Sequence, residues 1–289
     1  MMFSKSFVKR HQPALTALAL FLILGIAFSF APVRALAGDL LGIFRVQKVK
    51  VIPVDTSQLE GNEELEGLLA QFAPQSETVV DGGEPVEVAD LSQAATLVDF
   101  NIAELTALPA EVTTPGKLGI LNKSVERVQL DPDLMEAIFE AAGIKIDLPD
   151  SLRDTPIIVT RPTMLYQAWG DESDRYLAFT QMNAPQIEYP DDLDLNELGI
   201  AVLQFFGKSK AEAMAMSATI DWANTLILHL PSDADAQVSE VSINGASGTL
   251  FQTSSAQETM LMWQKDGKTY LLNGSFEAEQ LVEMAKSVR

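Results

Sequence analysis

Residues 259–273 read TMLMWQKDGKTYLLN. Asp266-Gly267 is a two-residue turn of the kind that needs positive φ and closes a tight hairpin. With the turn placed there, Lys265 pairs with Lys268, Trp263 with Tyr270 and Leu261 with Leu272. Side chains alternate along a strand, so Leu261, Trp263, Tyr270 and Leu272 share one face, which must pack on something apolar. The last helix offers that surface. Ala278, Leu281, Val282, Ala285 and Val288 fall on one helical stripe. A hairpin backed by a helix predicts an α+β fold, an antiparallel sheet packed against helices.

Working upstream, SEVSIN and GTLFQT form a second hairpin. TLILHLP (225–231) is too apolar for an edge strand and is expected to be buried. AEAMAMSATI (211–220) is a helix opened by Ser209 and Glu212 as a capping box. NELGIAVLQFFG (196–207) is a helix stopped at Gly207. PIIVT, MLYQAW and YLAFTQM read as three short strands. DPDLMEAIFEAAG (131–143) is a helix between Pro132 and Gly143, and LGILNKSVERVQL (118–130) is a strand broken near Asn122. DLSQAATLVDF is a short helix capped by Asp90 or Ser92. The prolines at 109, 149, 190 and 231 are evenly spaced, but the composition between them is not periodic, so no repeat is assigned.

Charge divides the chain. Residues 1–50 hold seven Lys and Arg against one acid, Asp39, while the remainder holds thirteen against thirty-nine. No Lys or Arg occurs from Val51 to Gly116. The net charge of −20 repels phosphate backbones, so no nucleic-acid partner is expected. The acidic stretch 55–87 reads as a solvated linker, with EELEGLLAQFA (63–73) as its one helical-looking part. Residues 88–289 are then the folded body.

Residues 14–33, ALTALALFLILGIAFSFAPV, carry no charge. Twenty residues at ~1.5 Å rise span roughly 30 Å, a bilayer core. A transmembrane helix over 13–34 therefore predicts a cytoplasmic stub at 1–12, a juxtamembrane segment at 35–54 and an extracytoplasmic body. A competing signal-peptide reading cuts after Ala35-Leu36-Ala37. The apolar run is longer than the usual ~7–15 residues of a signal peptide, which favours the anchor. Arg34, Arg45, Lys48 and Lys50 lie beyond the span. They leave the positive-inside count nearly balanced, yet a short basic stub stays inside easily and a long domain translocates regardless of charge.

The chemistry-bearing motifs are few. Cysteine is absent and there are two histidines, His11 in the stub and His229 within LILHLP, where a core role is expected. Gly245-Ala246-Ser247-Gly248 lacks nucleophile-elbow spacing. Asp192-Leu193-Asp194-Leu195-Asn196 resembles the start of a calcium loop. Glu197 stands where the turn glycine should be, however, and Leu203 where the bidentate Glu should be, so helix capping is the expected role. Trp169, Trp222, Trp263 and Phe251 are expected in the core. No catalytic, cofactor-binding or metal residue is nominated, and no enzyme or cofactor is expected.

VSINGASGTLFQTSSAQETMLMWQKDGKTYLLNGSFEAEQLVEMAKSV (241–288) resembles the domain of unknown function 4367 family of bacterial proteins. SQAATLVDFNIAELTALPAEV and ALAGDLLGIFRVQKVKVIPVD are similar to other segments of the same proteins. The family-like part spans about 211–289 within the body. The resemblance implies the extracytoplasmic portion of a single-pass membrane protein of anti-sigma type, with no catalytic residues to carry over. The chain departs from that pattern in having only about twelve residues before the span and no His/Cys zinc motif, so no sigma-binding domain is expected. The expected function is a membrane-anchored sensory or interaction domain with a protein partner in the membrane or cytoplasm. The alternative is a carrier of apolar ligands or lipids, suggested by ten Met and many Leu, residues that adapt to irregular ligands.

Overall fold

The computed structural model describes residues 41–44, 48–54, 61–72, 75–110, 112, 116–170, 176–231, 236–253 and 258–289. The expected span 13–34 lies outside them. Among the described residues, no helix is long and apolar enough to cross a membrane.

The fold is α+β, built on two antiparallel sheets. The strands are β1 (Leu41–Phe44), β2 (Lys48–Val54), β3 (Gln75–Val80), β4 (Val86–Val88), β5 (Lys117–Leu121), β6 (Ser124–Gln129), β7 (Ile157–Arg161) and β8 (Met164–Trp169). They continue as β9 (Leu177–Asn183), β10 (Gln186–Pro190), β11 (Thr225–Pro231), β12 (Ala236–Ile243), β13 (Ala246–Thr253), β14 (Glu258–Lys265) and β15 (Lys268–Gly274). One sheet has the order β1-β10-β7-β6-β3 and the other β12-β13-β14-β15-β9-β8-β5-β4.

These orders contain the same sequence of chain segments. β3 and β4, β6 and β5, β7 and β8, and β10 and β9 occupy matching places in the two sheets. Four long strands thus run through both sheets and bend where they pass from one to the other. The bends fall at 81–85, Asn122-Lys123, Pro162-Thr163 and Ala184-Pro185. Proline removes a ladder hydrogen bond, which suits a strand that must change sheet. At the first two bends the Asn122 side-chain amide donates to the Gly82 carbonyl at 3.1 Å. A Cβ on Gly82 would lie 2.7 Å from the Asn122 carbonyl oxygen, so the close approach requires glycine. The break expected near Asn122 is therefore a sheet crossing.

The acidic segment 55–87 is not the solvated linker expected from its charge. Its described part supplies α1 (Glu63–Gln71), β3 and β4. Leu65 and Leu69 are fully buried on one face of α1, with Phe72 beside them, and the acids point outward. After β4, the single turn α2 (Leu91–Ala94) seats Ala94 among Leu118 and Ile120 of β5. The next helix, α3 (Pro132–Ala141), meets α1 in the core under the five-stranded sheet through Met135, Ile138 and Phe139. Asn62 secures both helices. Its Oδ1 accepts from Leu65 N–H at 3.0 Å, and its Nδ2 donates to the Ala141 carbonyl at 2.8 Å. After α4 (Ser151–Asp154), α5 (Leu195–Phe205) completes this core with Val202, Phe205 and its neighbour Phe206.

β11 corrects a second expectation. It pairs in parallel with β2 in a two-stranded ribbon, so it has a free edge among the described residues. On one face its packing is described. Ile227 packs with Ile52 of β2, Leu203 of α5, and Ala213 of α6 (Lys210–Ser217). On its other side, β2 lies against β13 and β14.

The eight-stranded sheet carries the third layer. The β14–β15 register is Lys265 with Lys268, Trp263 with Tyr270 and Leu261 with Leu272, as the turn dictates. Asp266 and Gly267 adopt φ of 52° and 76°. The face so defined packs on α7 (Ala278–Lys286) through Leu281, Met284 and Ala285.

Candidate functional site

The rim of this third layer holds a cleft of about 240 Å³. Trp263 and Tyr270 are among its lining residues. The Trp263 and Tyr270 rings stack with centroids 5.2 Å apart, and Phe179 stacks on Tyr270 at 6.1 Å. Trp263 is almost wholly buried and lines the cleft.

Two chain segments distant in sequence form the walls. Gln181, buried in β9, holds residue 103 like a rung: Ala103 N–H donates to its Oε1 at 2.8 Å, and its Nε2 donates to the Ala103 carbonyl at 2.9 Å. The same segment pairs with the end of the chain. Glu104 and Arg289 exchange backbone hydrogen bonds of 2.9 and 3.1 Å, and Leu105 bridges to Val288. Lys265, Lys268 and Arg289 line the cleft, with Asp266 as the acidic side chain. Lys268 is fixed by donating from Nζ to the Asn101 carbonyl at 2.7 Å.

Burial raises the Tyr270 hydroxyl above its ordinary value of 10.0, and the charge of Asp266 adds to the effect. Tyr189 is raised likewise, by burial and then by Asp191. A folded-state value above the unfolded one means that the contribution is complete below the unfolded value and is lost as pH rises through the folded one. The tyrosine contribution to the urea midpoint should therefore be constant from neutral pH to about pH 10 and fall beyond it. Tyr270→Phe should reduce the alkaline fall.

The motifs weighed in the sequence are dispersed. Asp194 caps α5, accepting from Asn196 and Glu197 N–H at 2.8 and 3.0 Å, while Asp192 accepts from Ser151 Oγ at 2.6 Å. Capping, not calcium-loop geometry, accounts for the first, and a surface contact for the second. Gly245 lies in the β12–β13 turn at φ 86°, and Ser247 donates to Glu240 at 2.6 Å, a surface contact of a hairpin. His229 stands opposite Ile52 in the ribbon, and its side chain lies outside the described residues. Trp169 and Trp263 are core residues, whereas Phe251 and Trp222 are half-buried. Trp222 Nε1 donates to Ser217 Oγ at 2.7 Å. No group of three or more metal-ligating side chains occurs among the described residues. The cleft itself was not read from the sequence. The pairing of Lys265 with Lys268 was its one local signal.

The C-terminal part of the cleft, from Ile243 to Val288, falls in a stretch that matches a family model over residues 212–288. The matching family is described as a domain of unknown function (DUF4367). No curated protein and no solved structure matches the chain. The DUF4367 stretch supplies most of α6, all of α7 and the strands β11 to β15, and with them half of the eight-stranded sheet. Asn101 to Ala103 and Arg289, the remaining cleft residues, come from outside it.

The cleft is smaller than the ~300–1,000 Å³ of drug-sized ligand sites, and charged side chains are part of its lining. It does not have the lining that a carrier of apolar ligands would use.

Proposed function

We propose that the chain is a membrane-anchored extracytoplasmic sensory and interaction domain that acts through a protein partner rather than by chemistry of its own. The observation that carries the interaction part is a sheet edge that is open among the described residues. β3 and β4 are consecutive in the chain and each ends its own sheet, so residues 75–88 form one continuous border. Every residue of β3 is exposed, and Val79, Val80 and Val86 are exposed at 47%, 43% and 41%. Unpaired strand edges present backbone groups to any extended chain, and such edges are usually guarded by Lys or Pro. This one has no Lys, only Pro85 and an irregularity between Thr78 and Val80. Asp81, Glu84 and Glu87 make it acidic, while Glu77 is paired with Arg127 at 3.0 Å. A second copy would bring acid against acid, so the edge suits an extended basic segment added as a further strand.

The anchor is supported by the uncharged run 14–33 and by the short connection after it. Only residues 34–40 separate that run from β1, which is paired with β10 in the five-stranded sheet. Seven residues reach at most about 25 Å. A body tied this closely is held at the membrane surface.

A photo-crosslinking residue at Val86, irradiated in membranes, should give one discrete adduct. The adduct should vanish with Glu84→Lys and Glu87→Lys together and be absent when the probe replaces exposed Met214. An adduct indifferent to the charge reversal, or formed equally from position 214, contradicts the edge as the partner surface.

A further inference from the structure

We propose that the cleft between the β14–β15 turn and the end of the chain binds a small oxyanion carried on a planar apolar group, an aromatic carboxylate or phosphate monoester. The site is separate from the β3–β4 edge and does not depend on it.

Charge is the first ground. Lys265 and Lys268 stand directly opposite each other in the ladder, an arrangement of like charges that destabilises a strand pair. Arg289 adds a third cationic side chain, and the anions of the lining are Asp266 and the Arg289 α-carboxylate, so cations still exceed anions by three to two. A local excess of positive charge on a chain of net charge −20 concentrates an electrostatic demand in one place. An oxyanion between the cations would relieve it.

Available donors are the second ground. Lys268 Nζ spends one hydrogen bond on Asn101 and has two left. The side chains of Lys265 and Arg289 have no hydrogen-bond or ion-pair partner among the described residues. Arg289 presents a fork suited to two oxygens of one anion. Its backbone is pinned to Glu104, which fixes where the fork starts.

The apolar lining is the third ground. Trp263 and Tyr270, with Ile102, Ile243 and Val288, give the cleft an apolar part beside its charged residues. A bare inorganic ion would leave that surface wet, while a ring would cover it. At about 240 Å³ the cleft admits one ring and its acid group and little more.

The test uses the full chain in uncharged detergent at constant ionic strength. Lysines are acylated briefly and quantified by mass spectrometry, with exposed Lys145 as internal reference. Phenyl phosphate at twice its Kd should lower the reactivity of Lys265 about threefold relative to Lys145, because a third of the sites stay open. Benzoate should protect similarly, and inorganic phosphate should protect less at equal concentration. Arg289→Gln should weaken the protection, with an unchanged near-ultraviolet circular dichroism spectrum to show that the fold persists. The proposal is overturned if Lys265 reactivity is unchanged, if it falls in step with Lys145, if inorganic phosphate protects as well as phenyl phosphate, or if Arg289→Gln protects as fully as the unaltered chain.

Discussion

Leu65→Ala is expected to lower stability by about 2–5 kcal/mol, the range for emptying a fully buried leucine site. Leu65 is 0% exposed and packs in the core with Leu69, Met135 and Ile138. In a solvated linker the same change would fall within about ±0.5 kcal/mol. The two cases are far apart, and urea unfolding separates them. The midpoint should drop while the slope stays the same, since the surface exposed on unfolding barely changes. Leu69→Ala should behave alike. Glu64→Ala on the exposed side of the helix should have little effect.

Trp263→Ala is expected to cost about 3–5 kcal/mol by emptying the other core. The ring is 2% exposed and stacks on both Phe179 and Tyr270. Its removal takes away apolar burial and two aromatic contacts, each worth about 0.5–1.5 kcal/mol beyond area. Trp263 and Leu65 belong to different cores, so their costs should add. Both should nevertheless shift one shared transition. Four bent strands run through both sheets, and melting either sheet frees strands that the other needs. Circular dichroism and tryptophan fluorescence should report the same midpoint for each variant, whereas separate transitions would mean that the bends act as hinges between independent halves.

Local signals were legible in the sequence wherever the cause was local. The β14–β15 hairpin follows from Asp266-Gly267 and strict alternation, and its register came out residue for residue. The helix at Pro132–Ala141 is bounded by Pro132 and by Gly143 at φ 77°, both visible as letters. The capping box of Ser209 and Glu212 is formed as expected.

What the sequence hid was set by distant partners. Nothing near Asn122 reveals that the strand changes sheet there. β2 and β11 pair across more than half the chain, so the apolar run 225–231 signalled burial without its partner. In 55–87 the acids dominated the reading, although Leu65, Leu69 and Phe72 at helical spacing were the decisive residues. β10, QIEYP, is short and ends in proline, and its strand character comes from pairing with β1 and β7. The cleft needed Arg289 brought to the same cleft as Lys265, where the bridge between Leu105 and Val288 holds the end of the chain, a contact with no local signature.

The placement of the body outside the cytoplasm, on an anchor at 14–33, is tested most directly by one thiol. The chain has no cysteine, so Met214→Cys introduces a single reactive site at a helix position 52% exposed. Intact spheroplasts expressing the full chain are treated with a membrane-impermeant maleimide and compared with lysed ones. An anchored extracytoplasmic body predicts equal labelling before and after lysis. Labelling that appears only after lysis would put the body in the cytoplasm and contradict the proposed placement.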